Sequence, residues 1–250
     1  MSDIEVFKNA PITEAIFDIR AELPTEITLE NLAAIQEKIK ADFPKRKNRY
    51  SFEGQFHFEE QEEPQILKSS RKIDGYFFLT NDEKMIVQAR LDGFTFNKLR
   101  PYSSWQDFGA RAKIIWSHYV SLIQPKCVTR IALRYVNRIE LPFPFKDFKE
   151  YLLTVPEVAP GLPQMLEGYF LRLVIPDPEI GATAIVNQTI DSQNTSTVAV
   201  PIIFDIDVVK NVRLLPNNFD QIDGVLEQLK EFEDRVFFKS LTEKAKELFR

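Results

Sequence analysis

The fold prediction begins with two stretches, Ala10-Pro-Ile-Thr-Glu-Ala-Ile-Phe-Asp-Ile-Arg-Ala-Glu-Leu-Pro24 and Cys127-Val-Thr-Arg-Ile-Ala-Leu-Arg-Tyr-Val-Asn-Arg-Ile-Glu-Leu-Pro142. Both alternate apolar and polar residues as a half-buried β-strand does, and both end in Glu-Leu-Pro. When the two final prolines are aligned, the apolar positions coincide except at Asn137. They are Ala15, Phe17, Ile19, Ala21 and Leu23 in the first stretch and Leu133, Tyr135, Asn137, Ile139 and Leu141 in the second. This match predicts that one structural unit occurs twice in the chain.

Helical periodicity follows each of these stretches and also closes each half of the chain. The predicted helices span residues 29–42, about 104–123, 145–153 and 219–249. The segments between them alternate as strands, with Asp74-Gly75 and Asp92-Gly93 as turn signals. Strands that follow one another without an intervening helix favour antiparallel pairing.

These elements predict an α+β fold, a tandem duplication of a β-α-β(3-4)-α unit that forms an antiparallel sheet packed on long helices. The arrangement is similar to the architecture of the TATA-box-binding proteins, an analogy of fold that transfers no function. The alternative is a helix-grip fold, in which a curved sheet wraps one long helix. The first repeat would occupy residues 1–125 and the second residues 126–250, and we expect one compact unit.

The composition is that of an ordinary globular protein of 250 residues, with 44% hydrophobic and 28% charged residues. A net charge of −5 argues against a nucleic-acid partner, since affinity for phosphates needs clustered Lys and Arg. The single cysteine, Cys127, excludes an internal disulfide and fits a reducing compartment. No run approaches the roughly 18 apolar residues of a transmembrane helix, and the N-terminus lacks a signal-peptide core. We therefore expect a cytoplasmic protein with no membrane contact.

Charged side chains recur on one face of each opening stretch, because strand faces repeat every two residues. The first stretch carries Glu14, Asp18, Arg20 and Glu22, and the second carries Arg130, Arg134 and Arg138. If the two strands pair, the acids Glu14 and Asp18 could meet the arginines at 134 and 138. The simplest interpretation is a set of cross-strand ion pairs. The functional interpretation is a polar central groove that binds an anionic or peptide ligand.

Two carboxylates also share a strand face in Phe204-Asp-Ile-Asp-Val208, at Asp205 and Asp207. Such a pair could hold Mg²⁺ or share acid–base work. It predicts, as an alternative function, a metal-dependent enzyme acting on a phosphate-containing substrate, with the arginines as phosphate clamps. The signal is weak, because the sequence offers no third metal ligand, and solvent-facing strand positions explain the pair as well.

The strongest basic run is Lys45-Arg46-Lys47-Asn48-Arg49, which follows Pro44 in a predicted loop. It supports nucleic-acid binding as a further alternative, although most basic runs are simply solvated. The two histidines, His57 and His118, have no spaced partner for a zinc site. No Gly-x-Ser-x-Gly, Walker or Gly-x-Gly-x-x-Gly motif occurs. We therefore predict no catalytic residue and lean toward a protein that is not an enzyme.

Three stretches resemble a known family: Asn9-Ala-Pro-Ile-Thr-Glu-Ala15, Leu99-Arg-Pro-Tyr-Ser-Ser-Trp105 and Arg130-Ile-Ala-Leu-Arg-Tyr-Val-Asn137. Together they resemble a sporadically distributed, uncharacterised prokaryotic protein family whose members open with an Asn-Ala-Pro-Ile-x-Glu-Ala motif. The resemblance spans most of the chain. It implies a bacterial or archaeal cytosolic protein with the patchy distribution of mobile-element or defence genes. It implies no established activity and no catalytic residues.

These observations lead to one functional prediction, a non-enzymatic module that binds a protein partner or a small ligand. The predicted contact residues are Glu14, Asp18, Arg20, Arg134, Asn137 and Arg138. No cofactor is predicted for this function, and Mg²⁺ at Asp205 and Asp207 belongs only to the enzyme alternative. A homodimer is a possibility that the sequence leaves open.

Overall fold

The computed structural model describes residues 7–57, 65–192 and 198–250, which form one nine-stranded antiparallel sheet with helices. The strands are β1 Ile12–Glu22, β2 Lys45–His57, β3 Gln65–Leu79, β4 Met85–Arg90, β5 Gly93–Leu99, β6 Cys127–Pro142, β7 Phe170–Asp177, β8 Ala182–Ile190 and β9 Ala199–Leu214. The helices are α1 Leu29–Ala34, α2 Gln36–Ile39, α3 Trp105–Ile123, α4 Phe219–Ser240 and α5 Glu243–Lys246, with a 3-10 turn at Phe148–Glu150.

The two stretches that end in Glu-Leu-Pro become the central pair of the sheet. The strand order is β2-β3-β4-β5-β1-β6-β9-β8-β7, so β1 and β6 lie side by side with four strands beyond β1 and three beyond β6. They run antiparallel in a register that sets Ile16 opposite Arg134 and Phe17 opposite Leu133. Strands from both predicted halves therefore belong to one continuous sheet.

The predicted fold class is wrong. The protein is mainly β, with 27% helix, rather than a balanced α+β arrangement of the TATA-box-binding-protein kind. The helix predicted at 29–42 is two short helices, and the one predicted at 145–153 is a single 3-10 turn after Pro142 and Pro144. Several strands are longer than predicted, and β6 and β9 reach 16 residues. The helix-grip alternative also fails, because α3 and α4 are both long helices.

The long helices pack on one face of the sheet, which we call the covered face. On β1 and β6 it presents Phe17, Leu133 and Tyr135, each at most 1% exposed and part of one hydrophobic cluster with residues of α1, α3 and α4. The sequence sets where these helices begin. Ser104 accepts a hydrogen bond from the backbone of Asp107, and Asn218 accepts one from Gln221, so each long helix starts at a polar N-cap.

The opposite face, which we call the open face, carries the intervening residues of the same strands. On the central pair these are Glu14, Ile16, Asp18, Arg20, Arg130, Ala132, Arg134, Val136 and Arg138. Most are half-buried, because neighbouring side chains on the sheet cover them in part. Among the residues that the structure describes, the core clusters on the helix side, so the open face is where polar strand residues collect.

Candidate binding groove

The open face has a concave site of about 180 Å³ at the middle of the sheet, which we call the central groove. It is lined by Ile16, Asp18, Arg20, Arg130, Ala132, Arg134 and Asp207. These residues come from β1, β6 and β9, three adjacent strands. The groove therefore lies where the two opening stretches of the sequence pair with each other.

A small residue between two long ones creates the depression. Arg130, Ala132 and Arg134 point to the same face of β6, since strand side chains alternate. The methyl group of Ala132 leaves space between the two guanidinium-bearing side chains. Asp18 lies opposite Ala132, and Ile16 opposite Arg134. The groove thus has a short apolar floor with charged groups around it.

Asp18 is the acceptor at one end of the groove. Its Oδ2 accepts from Arg90 Nη1 at 2.8 Å and from Thr95 Oγ1 at 2.7 Å, and its Oδ1 accepts from Arg130 Nη1 at 2.9 Å. Arg20 Nε lies 3.6 Å from the same carboxylate. Arg90 is only 4% exposed, and burial lowers its pKa while Asp18 works against that shift. Such a buried cation needs its carboxylate partner, so Asp18 has a structural role.

Arg134 forms a two-pronged ion pair with Asp205. Its Nε and Nη2 donate to the two carboxylate oxygens at 2.7 and 2.8 Å, and Asn187 Nδ2 donates to the second oxygen at 3.0 Å. These hydrogen bonds raise the pKa of Arg134, against the effect of burial. The Arg134 side chain is nevertheless 43% exposed, whereas that of Asp205 is 8% exposed. One edge of the guanidinium is therefore fixed while the rest faces the groove.

Asp207 is different from its neighbour, because none of the described residues donates a hydrogen bond to it. It lies opposite Arg134 on β6, but that guanidinium turns to Asp205 instead. The nearest cation is Arg130, with Nη2 3.9 Å from Asp207 Oδ2. On its other side Asp207 lies opposite Ile185 of β8. Burial raises the pKa of Asp207 more than the two arginines lower it.

The predicted contact residues do not all reach the groove. Asp18, Arg20 and Arg134 line it. Glu14 lies on the same face outside the lining and accepts from Asn97 Nδ2 at 2.7 Å. Arg138 lies farther along β6, where it donates to Glu140 at 2.6 Å and to Asp191.

Asn137 lies on the covered face, the opposite side from the groove. Its side chain is 1% exposed and its Nδ2 donates to the carbonyl of Phe204 at 3.1 Å. The alternation of β6 requires this placement, because Asn137 follows Leu133 and Tyr135 in steps of two. The residue that broke the apolar match between the two stretches is therefore a satisfied polar group of the core.

The expected pairing of Glu14 and Asp18 with Arg134 and Arg138 is not observed. The register places Glu14 opposite Val136 and Asp18 opposite Ala132. Glu14 and Asp18 instead accept from residues of β4, β5 and β6. Arg134 pairs with Asp205 of β9, and Arg138 pairs with Glu140 of β6 and with Asp191, between β8 and β9. Sequence alternation identified the face correctly, but the register decided which charges meet.

Several residues of the site were not predicted from the sequence as contacts. Ala132 and Ile16 form the floor, and Arg130 and Arg90 hold Asp18. Arg130 shares its strand face with Arg134, so the spacing of two could have included it. Arg90 carries no comparable signal, because only the pairing of β4 with β5 and of β5 with β1 brings it near Asp18.

The two carboxylates proposed as metal ligands do share one strand face, as predicted. Asp205 accepts hydrogen bonds from Arg134 and Asn187, so its oxygens already have donors. Within residues 7–57, 65–192 and 198–250, no group of three His, Cys, Asp or Glu side chains is placed to hold a metal ion. Mg²⁺ binding stays a prediction.

The basic run lies in the edge strand β2 rather than in a loop, which corrects that prediction. Lys45 and Lys47 donate to Glu83 at 3.1 and 2.8 Å, and Arg49 pairs with Asp74. The guanidinium of Arg46 lies over the ring of Tyr76. The run is thus engaged within the protein, as expected of a charged sheet edge that resists pairing with other chains.

A second cleft, of about 440 Å³, lies between α2 and α3 on the helix side. It is lined by Lys38, Ile39, Asp42, Phe43, Asp107, Ala110, Arg111, Ile114, Ile115 and His118. None of the predicted contact residues reaches it.

The helices in residues 7–57, 65–192 and 198–250 include none with the length and apolar character that a membrane span requires.

No protein-family model matches the chain, and no curated protein matches it. The geometry of the central groove is therefore the basis for inferring a function.

Proposed function

We propose that the protein is a non-enzymatic binding module that holds a small polar ligand in the central groove. The observation that carries the proposal is the juxtaposition of Arg130, Arg134 and Asp207 around a depression over Ala132. Hydrogen-bonding groups are thereby concentrated at one concave place on the open face. Recognition of polar ligands depends on such convergent groups.

The size and polarity of the groove favour a small ligand over a protein partner. A volume of about 180 Å³ is below the roughly 300–1,000 Å³ typical of pockets for drug-sized molecules. The centres of protein–protein interfaces are depleted in charged residues and rich in aromatic ones. Among the described residues, the lining of the central groove differs from such a centre, because it includes two aspartates and no aromatic side chain.

The other parts of the functional prediction belong to the same proposal. They are membership of the sporadically distributed prokaryotic family, a cytoplasmic location, a link to mobile elements or defence, and the oligomeric state. Ligand binding in the central groove depends on none of them.

The experiment tests for a ligand without assuming its chemistry. The purified protein is incubated with the small-molecule fraction of a prokaryotic lysate, reisolated, and its bound molecules are identified by mass spectrometry. The test variant is Arg134→Gln with Asp205→Asn, which removes both charges together, because Arg134→Ala alone would leave the buried Asp205 without its cation. We expect a molecule that is enriched by the wild type and lost in the double variant.

The matched control is Arg111→Gln on α3, whose side chain is 41% exposed against 43% for Arg134. It removes one arginine of similar exposure from the helix side, so enrichment should persist. A molecule retained equally by all three proteins, or no enriched molecule at all, would refute ligand binding in the groove. Groove-dependent capture of a protein from whole lysate instead would replace the small ligand by a macromolecular partner.

A further inference from the structure

The groove contains an acceptor that the protein leaves unfilled. The side chain of Asp207 is 23% exposed, none of the described residues donates a hydrogen bond to it, and Arg130 Nη2 lies 3.9 Å from its Oδ2. Partly buried carboxylates are normally satisfied by donors. The neighbouring Asp205, on the same strand face, has three such hydrogen bonds. A donor supplied by a ligand would give Asp207 what Asp205 receives from the protein.

The same groove contains N–H donors for which the protein supplies no acceptor. A guanidinium has five N–H groups, and Arg134 uses Nε and Nη2 for Asp205. Its Nη1 forms no hydrogen bond with residues in the described ranges. Arg130 uses Nη1 for Asp18. Unused guanidinium N–H groups are suited to a carboxylate, whose two oxygens match their planar geometry.

Donors and acceptor lie on adjacent strands around one small depression. Asp207 on β9 is directly opposite Arg134 on β6, so a ligand lying over Ala132 meets both. A simple anion would satisfy the arginines but would be repelled by Asp18 and Asp207. A simple cation would satisfy Asp207 but would be repelled by three arginines. Only a group with both charges close together complements the whole lining.

We propose that the central groove binds the head group of a free α-amino acid, with Asp207 accepting from the ammonium and Arg130 and Arg134 donating to the carboxylate. This inference rests on the proposed function, since it names the ligand class of the same groove. The volume of about 180 Å³ suits a head group of a few heavy atoms, with the side chain directed out of the groove. The apolar floor of Ile16 and Ala132 contacts the α-carbon.

The test is an NMR titration of the ¹⁵N-labelled full-length protein, following the backbone amides of Ile16, Ala132 and Asp207. The probes are the twenty standard amino acids added singly, and three partial probes: acetate, methylammonium and Mg²⁺. We expect at least one amino acid to give saturable shifts at these amides. Acetate and methylammonium should bind at least about tenfold more weakly, because each satisfies only half of the lining.

Two variants examine the two features separately. Asp207→Asn removes the ammonium acceptor, and Ala132→Leu fills the depression without changing any charge. Both should weaken amino-acid binding by at least about tenfold. The control Asp223→Asn removes a carboxylate of α4 that pairs with Lys113 on the helix side, so it should bind as the wild type does. Should Ala132→Leu fail to fold, Asp207→Asn and its control still decide the question.

Three results would overturn the inference. One is acetate, methylammonium or Mg²⁺ binding as tightly as any amino acid. Another is amino-acid binding that survives Asp207→Asn. The third is no groove shift with any probe up to about 10 mM. Failure here leaves the proposed function standing if the lysate experiment still recovers a groove-dependent molecule of another class, whereas failure of both experiments refutes both.

Discussion

The covered and open faces of the central strands differ in how they accommodate charge. On the open face, most charged groups are matched by neighbours on adjacent strands, as Arg134 is by Asp205. On the covered face, helix α4 brings Glu233, which is 4% exposed, over a core that includes Tyr135. Burial there raises the pKa of Glu233 to about 7, although Lys230 lies 3.4 Å away.

The difference follows from geometry. Strand neighbours present their side chains at fixed spacing, so acids and arginines can be matched one to one. A helix packed on a sheet sets its side chains against apolar strand residues, and a carboxylate there loses water without gaining a full set of donors. The charges of the open face are thus largely compensated, apart from Asp207 and the buried Nη2 of Arg90, which has no hydrogen-bond partner. On the covered face, burial penalises a charged group.

The largest expected effect is on the covered face. Phe17→Ala removes a side chain that is 1% exposed and packs against the ring of Phe94. We expect the free energy of unfolding to fall by about 3–5 kcal/mol, since the change leaves a cavity in the core. Ile16→Ala changes the preceding residue, whose side chain lies on the open face. It should lower the free energy of unfolding by less than half as much. Urea unfolding measures both, and equal losses would mean that the two faces are buried alike.

The second effect is a pH dependence from the covered face. The pKa of the Glu233 carboxyl is 4.5 in the unfolded chain and about 7 in the folded protein. Between pH values of about 4.5 and 7, the folded protein therefore keeps a proton that the unfolded chain has lost. Its contribution therefore favours folding at acid pH and is lost as pH rises from about 4.5 through about 7. The free energy of unfolding falls by about 3 kcal/mol in all, because each unit of difference between the folded and unfolded pKa is worth about 1.4 kcal/mol.

Glu233→Gln should remove this decline, and Glu231→Gln, at an exposed position of the same helix, should not. The measurement is the difference in unfolding free energy between each variant and the wild type at pH 5 and pH 8. Asp207 and Asp234, whose pKa values are also raised by burial, add a decline of the same sign to all three proteins. A wild-type curve parallel to that of Glu233→Gln would contradict the assignment.

A smaller effect is expected when the ion pair between Arg134 and Asp205 on the open face is broken. Arg134→Gln leaves Asp205, whose side chain is 8% exposed, with Asn187 as its remaining side-chain donor. We expect a loss of about 2 kcal/mol, less than for a fully buried pair because Arg134 is partly exposed. Adding Asp205→Asn should recover more than half of that loss. Thermal and urea unfolding of the two single variants and the double variant form the cycle that tests this coupling.

The smallest effect is expected at Asp207. Since burial raises the pKa of its carboxyl, ionisation at neutral pH opposes folding. Asp207→Asn should therefore leave the free energy of unfolding at pH 7 unchanged or raise it by less than about 1 kcal/mol. A loss comparable to that of Asp205→Asn would show that Asp207 is paired within the protein, and it would remove the unfilled acceptor on which amino-acid binding depends.

Short sequence signals predicted the structure correctly where a single residue sets its own backbone conformation. Asp92-Gly93 is a turn between β4 and β5, and Gly93 has a positive φ of 146°. The same dipeptide at Asp74-Gly75 was predicted as a turn, yet it lies inside β3. A Cβ on Gly75 would come within 2.2 Å of the Ala89 carbonyl, so this glycine serves close strand approach. A Cβ on Gly93 would likewise come within 2.0 Å of the Ile19 carbonyl oxygen, so both glycines allow close strand approach and only Gly93 also follows a turn.

The sequence by itself determined the two central strands, where α3 and α4 begin, and which residues of β1 and β6 share a face. These are local properties, set by alternation and by hydrogen bonds within a few residues. Only the tertiary structure decided the mainly β fold, the register of β1 on β6, and hence the meeting of Arg130, Arg134 and Asp207. Those outcomes depend on contacts between residues far apart in the chain, where a two-residue shift keeps every side chain on its face but changes every partner.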